Sequence, residues 1–147
     1  KMTTYETLSK KELKAAEKVI KKETLKLAMN GLTDCLLWST VGFEGEHLDE
    51  MGYQAEDIRK SHLIILETTL ASFMSVAEER KQLYGFSPSA IGHNFWLTWA
   101  GHGSGFFDSA SEYADELDGL AMSFQRGFTE EFHADPYIDD DNTIQIF

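Results

Sequence analysis

The chain has little of what cross-links a small fold. Its 147 residues include one cysteine, Cys35, so an intramolecular disulfide and a CxxC metal site are both excluded. Cys35 lies in an apolar stretch and reads as a small buried hydrophobe. A lone thiol fits a reducing, cytosolic compartment. Only two prolines occur, Pro88 and Pro136, and both fall where connections are expected. No apolar run approaches the roughly 20 residues that span a bilayer, so no membrane partner is expected. The N-terminal lysines lead into no apolar stretch of the secretory-signal kind. Lys1 ahead of Met2 reads as a residue added to a natural start. Repeats, low-complexity linkers and heptads are absent, which argues against an assembly component.

Positive charge is scarce outside the first helix. The net charge is −12. Residues 1–26 carry eight lysines against four glutamates, and residues 27–147 carry five Lys/Arg against 21 Asp/Glu. Phosphates would be repelled by such a body, so direct nucleic-acid binding is not expected. A basic protein surface, including one that normally holds DNA or RNA, would be attracted. Solubility alone is the plainer reading of the same charge. The apolar fraction of 42% is ordinary, and the length suits one domain with a real core. We therefore read 1–147 as a single domain, with a lysine-rich helical start (1–26), a helical part (27–92) and a hairpin–helix–hairpin part (93–147).

Ser9-Lys10-Lys11-Glu12 has the spacing of a capping box, in which hydroxyl and carboxylate satisfy free amides at a helix start. Leu13, Ala16 and Ile20 follow at helical spacing, Glu17 and Lys21 stand four apart, and the pattern continues through Leu36. An end is expected near Trp38–Ser39, with Gly31 as a kink or break. The lysines form a solvated face or meet the acidic body of a second copy, which makes a homodimer conceivable. Residues 40–56 read as an acidic loop. Asp57 or Ser61 opens the next helix, striped by Leu63, Leu66, Leu70, Phe73 and Met74, with Gly85 as its stop. Ser87-Pro88 starts one short turn closed by Gly92. Phe95, Leu97 and Trp99 alternate with Trp96 and Thr98, which predicts a strand. Gly101-His102-Gly103-Ser104-Gly105 supplies turn chemistry, and Phe106-Phe107 the returning strand. Ser109-Ala110-Ser111-Glu112 is a second capping box, before a helix striped by Tyr113, Leu117, Leu120, Ala121 and Phe124. Tyr137-Ile138, a turn at 139–142 and Thr143–Phe147 make a closing hairpin. The expected class is α+β: N-terminal helices on a small antiparallel sheet built from two hairpins flanking a helix.

The stretch from His93 to Asp108, His-Asn-Phe-Trp-Leu-Thr-Trp-Ala-Gly-His-Gly-Ser-Gly-Phe-Phe-Asp, is the most distinctive. It resembles the signature HDFWLTRNGHGAGFWD of a small protein family encoded mainly by bacteriophages, prophages and plasmids. Leu37-Trp38-Ser39-Thr40, Leu48-Asp49-Glu50 and Asp57-Ile58 resemble the segments that precede it, and Tyr137–Ile146 loosely resembles the closing hairpin. The resemblance covers most of 32–147. It implies phage origin, small size and an accessory role, and no particular reaction. Asn94 stands where the signature has Asp, Trp99-Ala100 where it has Arg-Asn, and Phe107 where it has Trp. Chemistry carried by that Arg and Asp is not expected here.

His93, His102 and Asp108 invite an acid–base or metal reading. In a hairpin, however, His102 lies at the tip, roughly 20 Å from the other two, too far for one ion. His93 and Asp108 can pair as a general base, though such a pair more often fastens a strand end to a helix start. His102 is an exposed turn residue or a contact residue. His47, His62 and His133 are scattered, without HExxH. The glycines lack the lysine of a phosphate loop, and Asp139-Asp140-Asp141-Asn142 lacks the rest of an EF-hand. No cofactor or metal is expected, and an enzyme less than a binding protein.

Two functions follow. In the first, a phage-encoded accessory protein binds a host protein in the host cytoplasm, occupying its nucleic-acid surface as a DNA or RNA mimic or inhibitor. The contact carboxylates are Glu44, Glu46, Asp49 and Glu50 on the loop, Glu112, Asp115, Glu116 and Asp118 on the helix, and Glu130, Glu131, Asp139, Asp140 and Asp141 near the end. In the second, Trp96, Trp99, Phe106 and Phe107 line a ligand pocket with the histidines. Core packing is the plainer reading of those aromatics.

Overall fold

The computed structural model describes residues 8–15, 20–124 and 134–147. Among these residues five helices follow one another: α1 (Lys10–Ala15), α2 (Lys22–Ser39), α3 (Lys60–Glu79), α4 (Pro88–Trp99) and α5 (Ala114–Ser123). Short 3-10 turns lie at Ala55–Asp57 and Phe106–Asp108. Strands β1 (Tyr137–Ile138) and β2 (Ile144–Gln145) pair antiparallel, Tyr137 opposite Gln145 and Ile138 opposite Ile144. The class is α+β, with a very small sheet.

The capping box at Ser9 forms. Glu12 N donates to Ser9 Oγ at 3.2 Å and Ser9 N donates to Glu12 Oε1 at 3.1 Å. Glu12 also accepts from Arg80, beyond the end of α3, and Lys11 pairs with Glu79 at 3.0 Å. These pairs tie α1 to the far end of α3, and the Arg80 hydrogen bond holds the Glu12 carboxyl down at about 2. The Glu17–Lys21 pair lies partly outside the described residues.

Gly31 does not break α2. It lets α4 touch it. A Cβ on Gly31 would sit 2.0 Å from Ser89 O, and one on Gly92 would sit 1.8 Å from Ala28 O. The two helices cross backbone to backbone at this pair of glycines, and the aromatic core gathers beside the crossing. Phe73 of α3 packs on Phe95 (4.9 Å between ring centres) and Phe106 (5.3 Å), and Phe95 stacks on Trp99.

The first expected hairpin is a helix. Ser87 caps it by accepting from Ala90 N at 3.2 Å, and Pro88 takes the first turn, where its missing N–H costs nothing. Residues 95–100 are all buried, so their apolar run carries no usable period, and a short run of that kind suits strand and helix equally. Gly92 lies inside the helix instead of closing a turn. Gly101 stops it with φ 78°, a left-handed value, while His102 N donates to Leu97 O at 3.0 Å. Gly105, at φ 124°, then brings Phe106 N onto Thr98 Oγ1 at 3.0 Å.

Other boundaries moved less. α2 ends at Ser39 as expected, but the helical pattern read as continuous from Ser9 through Leu36 is interrupted, since Ile20 and Lys21 are not helical and α2 starts afresh at Lys22. α3 ends at Glu79, ahead of Lys81 at φ 58°, and not at Gly85. The second capping box does not form. Ser109 Oγ accepts from Ser111 N, Ser111 Oγ accepts from Tyr113 N, and α5 starts only at Ala114. The closing hairpin turns at 139–142 as read, with Asp139 N donating to Thr143 O at 3.0 Å. Ile58 bridges Ile144, and Arg59 N donates to Ile144 O at 2.9 Å, so β2 lies along the start of α3.

Candidate functional site

Where α2 ends, the chain builds a projecting acidic turn. Thr40 closes the helix with its amide and its hydroxyl both donating to Leu36 O. Val41 then bridges His47, and Gly42 N donates to Glu46 O at 2.7 Å. Gly45 takes φ 84°, which a side chain would resist, and the turn closes in four residues. Phe43 is thereby pushed fully into solvent, at 103% of its reference exposure. Leu48 is buried beneath and anchors the loop, its amide donating to Thr40 O at 3.0 Å.

The closing hairpin comes alongside. Tyr53 Oη donates to Asn142 Oδ1 at 2.5 Å. Between the two segments runs a groove of about 370 Å³, lined by Thr40, Val41, Gly42, Phe43, Leu48, Met51, Tyr53, Pro136, Tyr137 and Ile138. Val41, Phe43, Met51 and Tyr137 are all exposed apolar side chains. Exposed apolar side chains gathered in one concavity mark a contact site more often than scattered ones do. Glu44, Glu46, Asp49 and Glu50 lie on the 40–53 segment that supplies one wall, and Asp140 and Asp141 on the turn that follows the other, but none of these carboxylates lines the groove itself. All six are exposed.

The remaining expected carboxylates divide. Asp139 is committed to its own turn. Its Oδ1 accepts from Thr143 N at 2.9 Å and Asp141 N at 3.0 Å, its Oδ2 accepts from Gln145 Nε2 at 2.5 Å, and these bonds, the one from Thr143 first, hold its pKa below the usual carboxylate range. Glu112, Asp115 and Glu116 are exposed at the start of α5, which contributes nothing to the groove. Asp118 is 4% exposed, so its expected place on the outer face of that helix is corrected: it is turned into the fold beside Leu117. Glu130 and Glu131 lie outside the described residues, as does His133.

The histidine site does not assemble. No hydrogen bond joins His93 to Asp108 among the described residues, and no group of three His, Cys, Asp or Glu there could hold a metal ion. The 20 Å separation expected of a hairpin does not apply. Along α4 the rise from residue 93 to 99 is roughly 9 Å, and His102 follows just past the helix end. His93 instead stacks on the half-exposed ring of Trp38 (6.3 Å, 28° between planes), and His47 stacks there too (6.5 Å, 12°) while its Nδ1 meets Trp38 O. His102 lies 6.2 Å from the Trp96 ring. Desolvation there pulls its basicity down, against an opposing pull from Asp135. Trp96, Trp99 and Phe106 are fully buried core residues, and none of them lines the groove described above. Trp38, Val41, Phe43, Met51 and Tyr137 are the surface residues the sequence reading missed. The one signal for them was the run Gly42-Phe43-Glu44-Gly45-Glu46, an aromatic set in turn chemistry with nothing apolar beside it.

No family model, curated protein or solved structure matches this chain. No helix among the described residues is long and apolar enough to cross a membrane.

Proposed function

We propose that this chain is a binding protein whose apolar groove, set beside chain segments rich in exposed carboxylates, receives a basic amphipathic segment of another protein. The observation that carries the reading is the juxtaposition itself. Val41, Met51 and Tyr137 line an apolar concavity, Phe43 projects at its edge, and exposed carboxylates stand nearby in the chain at 44–50 and 140–141. A segment with lysines along one edge and leucine-like side chains along the other satisfies both. Burial supplies affinity, at about 25 cal/mol per Å² of apolar surface, and charge supplies encounter rate and orientation. Phe43 is the natural anchor, since exposed aromatics that become buried carry much of an interface's energy.

The resemblance of residues 93–108 supplies the setting: an accessory protein of a bacteriophage acting on a host protein in the host cytoplasm. Nucleic-acid mimicry is the less favoured form of this reading. A phosphate mimic needs spaced charge on a polar ridge, and here the 40–53 segment that carries four of the carboxylates also supplies a wall of an apolar concavity. Mimicry also predicts binding that collapses with salt, because contacts between exposed charges are screened.

The test is a calorimetric titration with two synthetic helical peptides of equal charge, one Lys/Leu amphipathic and one Lys/Ser. The groove predicts at least about tenfold tighter binding of the Lys/Leu peptide, or about 1.4 kcal/mol, retained in part at about 0.5 M salt. Equal binding of the two, lost together in salt, would leave only a diffuse acidic surface.

A further inference from the structure

We infer that a second groove, between α2 and α3, is a binding site for a medium-chain alkyl carboxylate of the fatty-acid kind. This site is independent of the function proposed above. The groove holds about 340 Å³, and α2 lines it with residues 22, 25, 26, 29, 30 and 33. That spacing is one face of a helix, roughly 16 Å long at 1.5 Å per residue. From α3 come Leu63 and Glu67.

The lining is sorted by chemistry along α2. Lys22 and Lys26 come first, and both are exposed. The apolar floor follows, with half-buried Leu25, buried Met29 and half-buried Leu63. Thr33 at the far end is buried, and its hydroxyl donates to Met29 O at 3.0 Å, so it asks nothing of a ligand. A molecule charged at one end and apolar along the rest matches this order. Its carboxylate meets the lysines, and its alkyl chain lies on the floor, where burial supplies the affinity.

The two lysines have no evident task in the fold. Neither forms an ion pair among the described residues, although the chain carries 25 acidic side chains against 13 basic ones. Lys22 opens α2, where the helix dipole opposes a positive charge. Glu67 is the one acid in the lining and offsets only one of them. The lining is therefore net basic in a chain of net charge −12. An acidic segment of protein would run past the groove and meet Glu23 and Glu56, the exposed chain neighbours of Lys22 and Ala55. A small carboxylate stays within it.

Backbone amide NMR of the labelled protein tests the site with three probes, each below its micelle concentration: decanoate, acetate and decylammonium. Decanoate is expected to shift 22–33 and 63–67, half-saturating by about 100 μM. Acetate lacks the chain and should leave those residues unmoved at the same concentration. Decylammonium keeps the chain and reverses the head, so it should bind there at least about tenfold more weakly, although the bulk charge of the protein attracts it. Lys22→Gln/Lys26→Gln should weaken decanoate by at least about tenfold, and Glu67→Gln should tighten it. All three side chains are exposed, and circular dichroism confirms that each variant folds. Decanoate that leaves 22–33 and 63–67 unmoved, or that binds there no better than acetate or decylammonium, overturns the inference. So does a lysine variant that binds decanoate like the wild type, or a Glu67→Gln variant that binds it more weakly. None of these outcomes touches the preference for the Lys/Leu peptide, so failure here leaves the proposed function standing.

Discussion

Tyr53 Oη donates a 2.5 Å hydrogen bond to Asn142 Oδ1, joining residues 89 positions apart. The bond ties the end of the acidic loop to the tip of the closing hairpin. The groove between them owes its two walls to that tie. Tyr53→Phe removes the donor and keeps the ring. A partly exposed hydrogen bond of this kind contributes about 1 kcal/mol, so the thermal midpoint should shift by only a few degrees. Affinity for the Lys/Leu peptide should fall roughly threefold to tenfold as the walls lose their register. Calorimetry on the variant checks this, and unchanged affinity would mean the tie does not shape the groove.

The α2–α4 crossing makes a stricter demand. A Cβ on Gly92 lies 1.8 Å from Ala28 O, a backbone atom that cannot turn aside. Gly92→Ala must part the helices and open the Phe95–Phe73 packing, at a cost of about 3 kcal/mol. Gly52→Ala is the comparison. Nothing lies within 4 Å of its Cβ, so only its φ of 91° opposes the change, at about 1–2 kcal/mol. Urea unfolding of both variants should rank Gly92→Ala as the more damaging. The reverse order would refute the close crossing.

Local chemistry was legible wherever it acts over three or four residues. The Ser9–Glu12 box, the end of α2 at Ser39 and the 139–142 turn all follow from neighbours in the chain. Residues 95–100 were misread because the signal fails physically: with every side chain buried, neither a period of two nor one of 3.6 shows. The helix runs on to Trp99, whereas Ser87-Pro88 reads as the start of one short turn because Gly92 looks like its end. Glycine there serves another helix's backbone, which no local pattern records. Asp118 was placed outside by its acidic neighbours Asp115 and Glu116, whereas its position beside Leu117 and Leu120 turns it inward. At the candidate site, the carboxylates were visible as composition. The groove was not, because its walls come from residues 40–53 and 136–138, whose pairing is a tertiary fact.

Acid should loosen the C-terminal strand. Ile146 N donates to His62 Nδ1 at 3.0 Å, and a protonated ring has no lone pair there to accept it. Burial first, then the Arg59 charge, holds the His62 basicity below its ordinary 6.5. The unfolded chain therefore binds the proton first as pH falls. Stability is full above about 6.5, declines below it, and levels off once the folded ring is also protonated. His102 is shifted in the same direction and adds to the slope. Urea midpoints at about pH 7.5 and about pH 5.5 should show the wild type weaker in acid, and His62→Gln should show a smaller difference between the two. A midpoint that rises in acid would contradict the assignment.

Cys35 is buried in α2, and desolvation pushes its thiol up to about 12. The native protein should leave a disulfide reagent such as Ellman's unreacted at neutral pH, while the urea-unfolded chain reacts with one equivalent. Rapid labelling of the native state would show that the helix opens.

The location of binding is what the functional account stands on. Backbone amide NMR of the labelled protein, titrated with the Lys/Leu peptide, reads that location residue by residue. Shifts should concentrate at 40–53 and 136–142 and leave Glu112, Asp115 and Glu116 unmoved. Shifts centred on the start of α5, or spread evenly over every acidic segment, would contradict it.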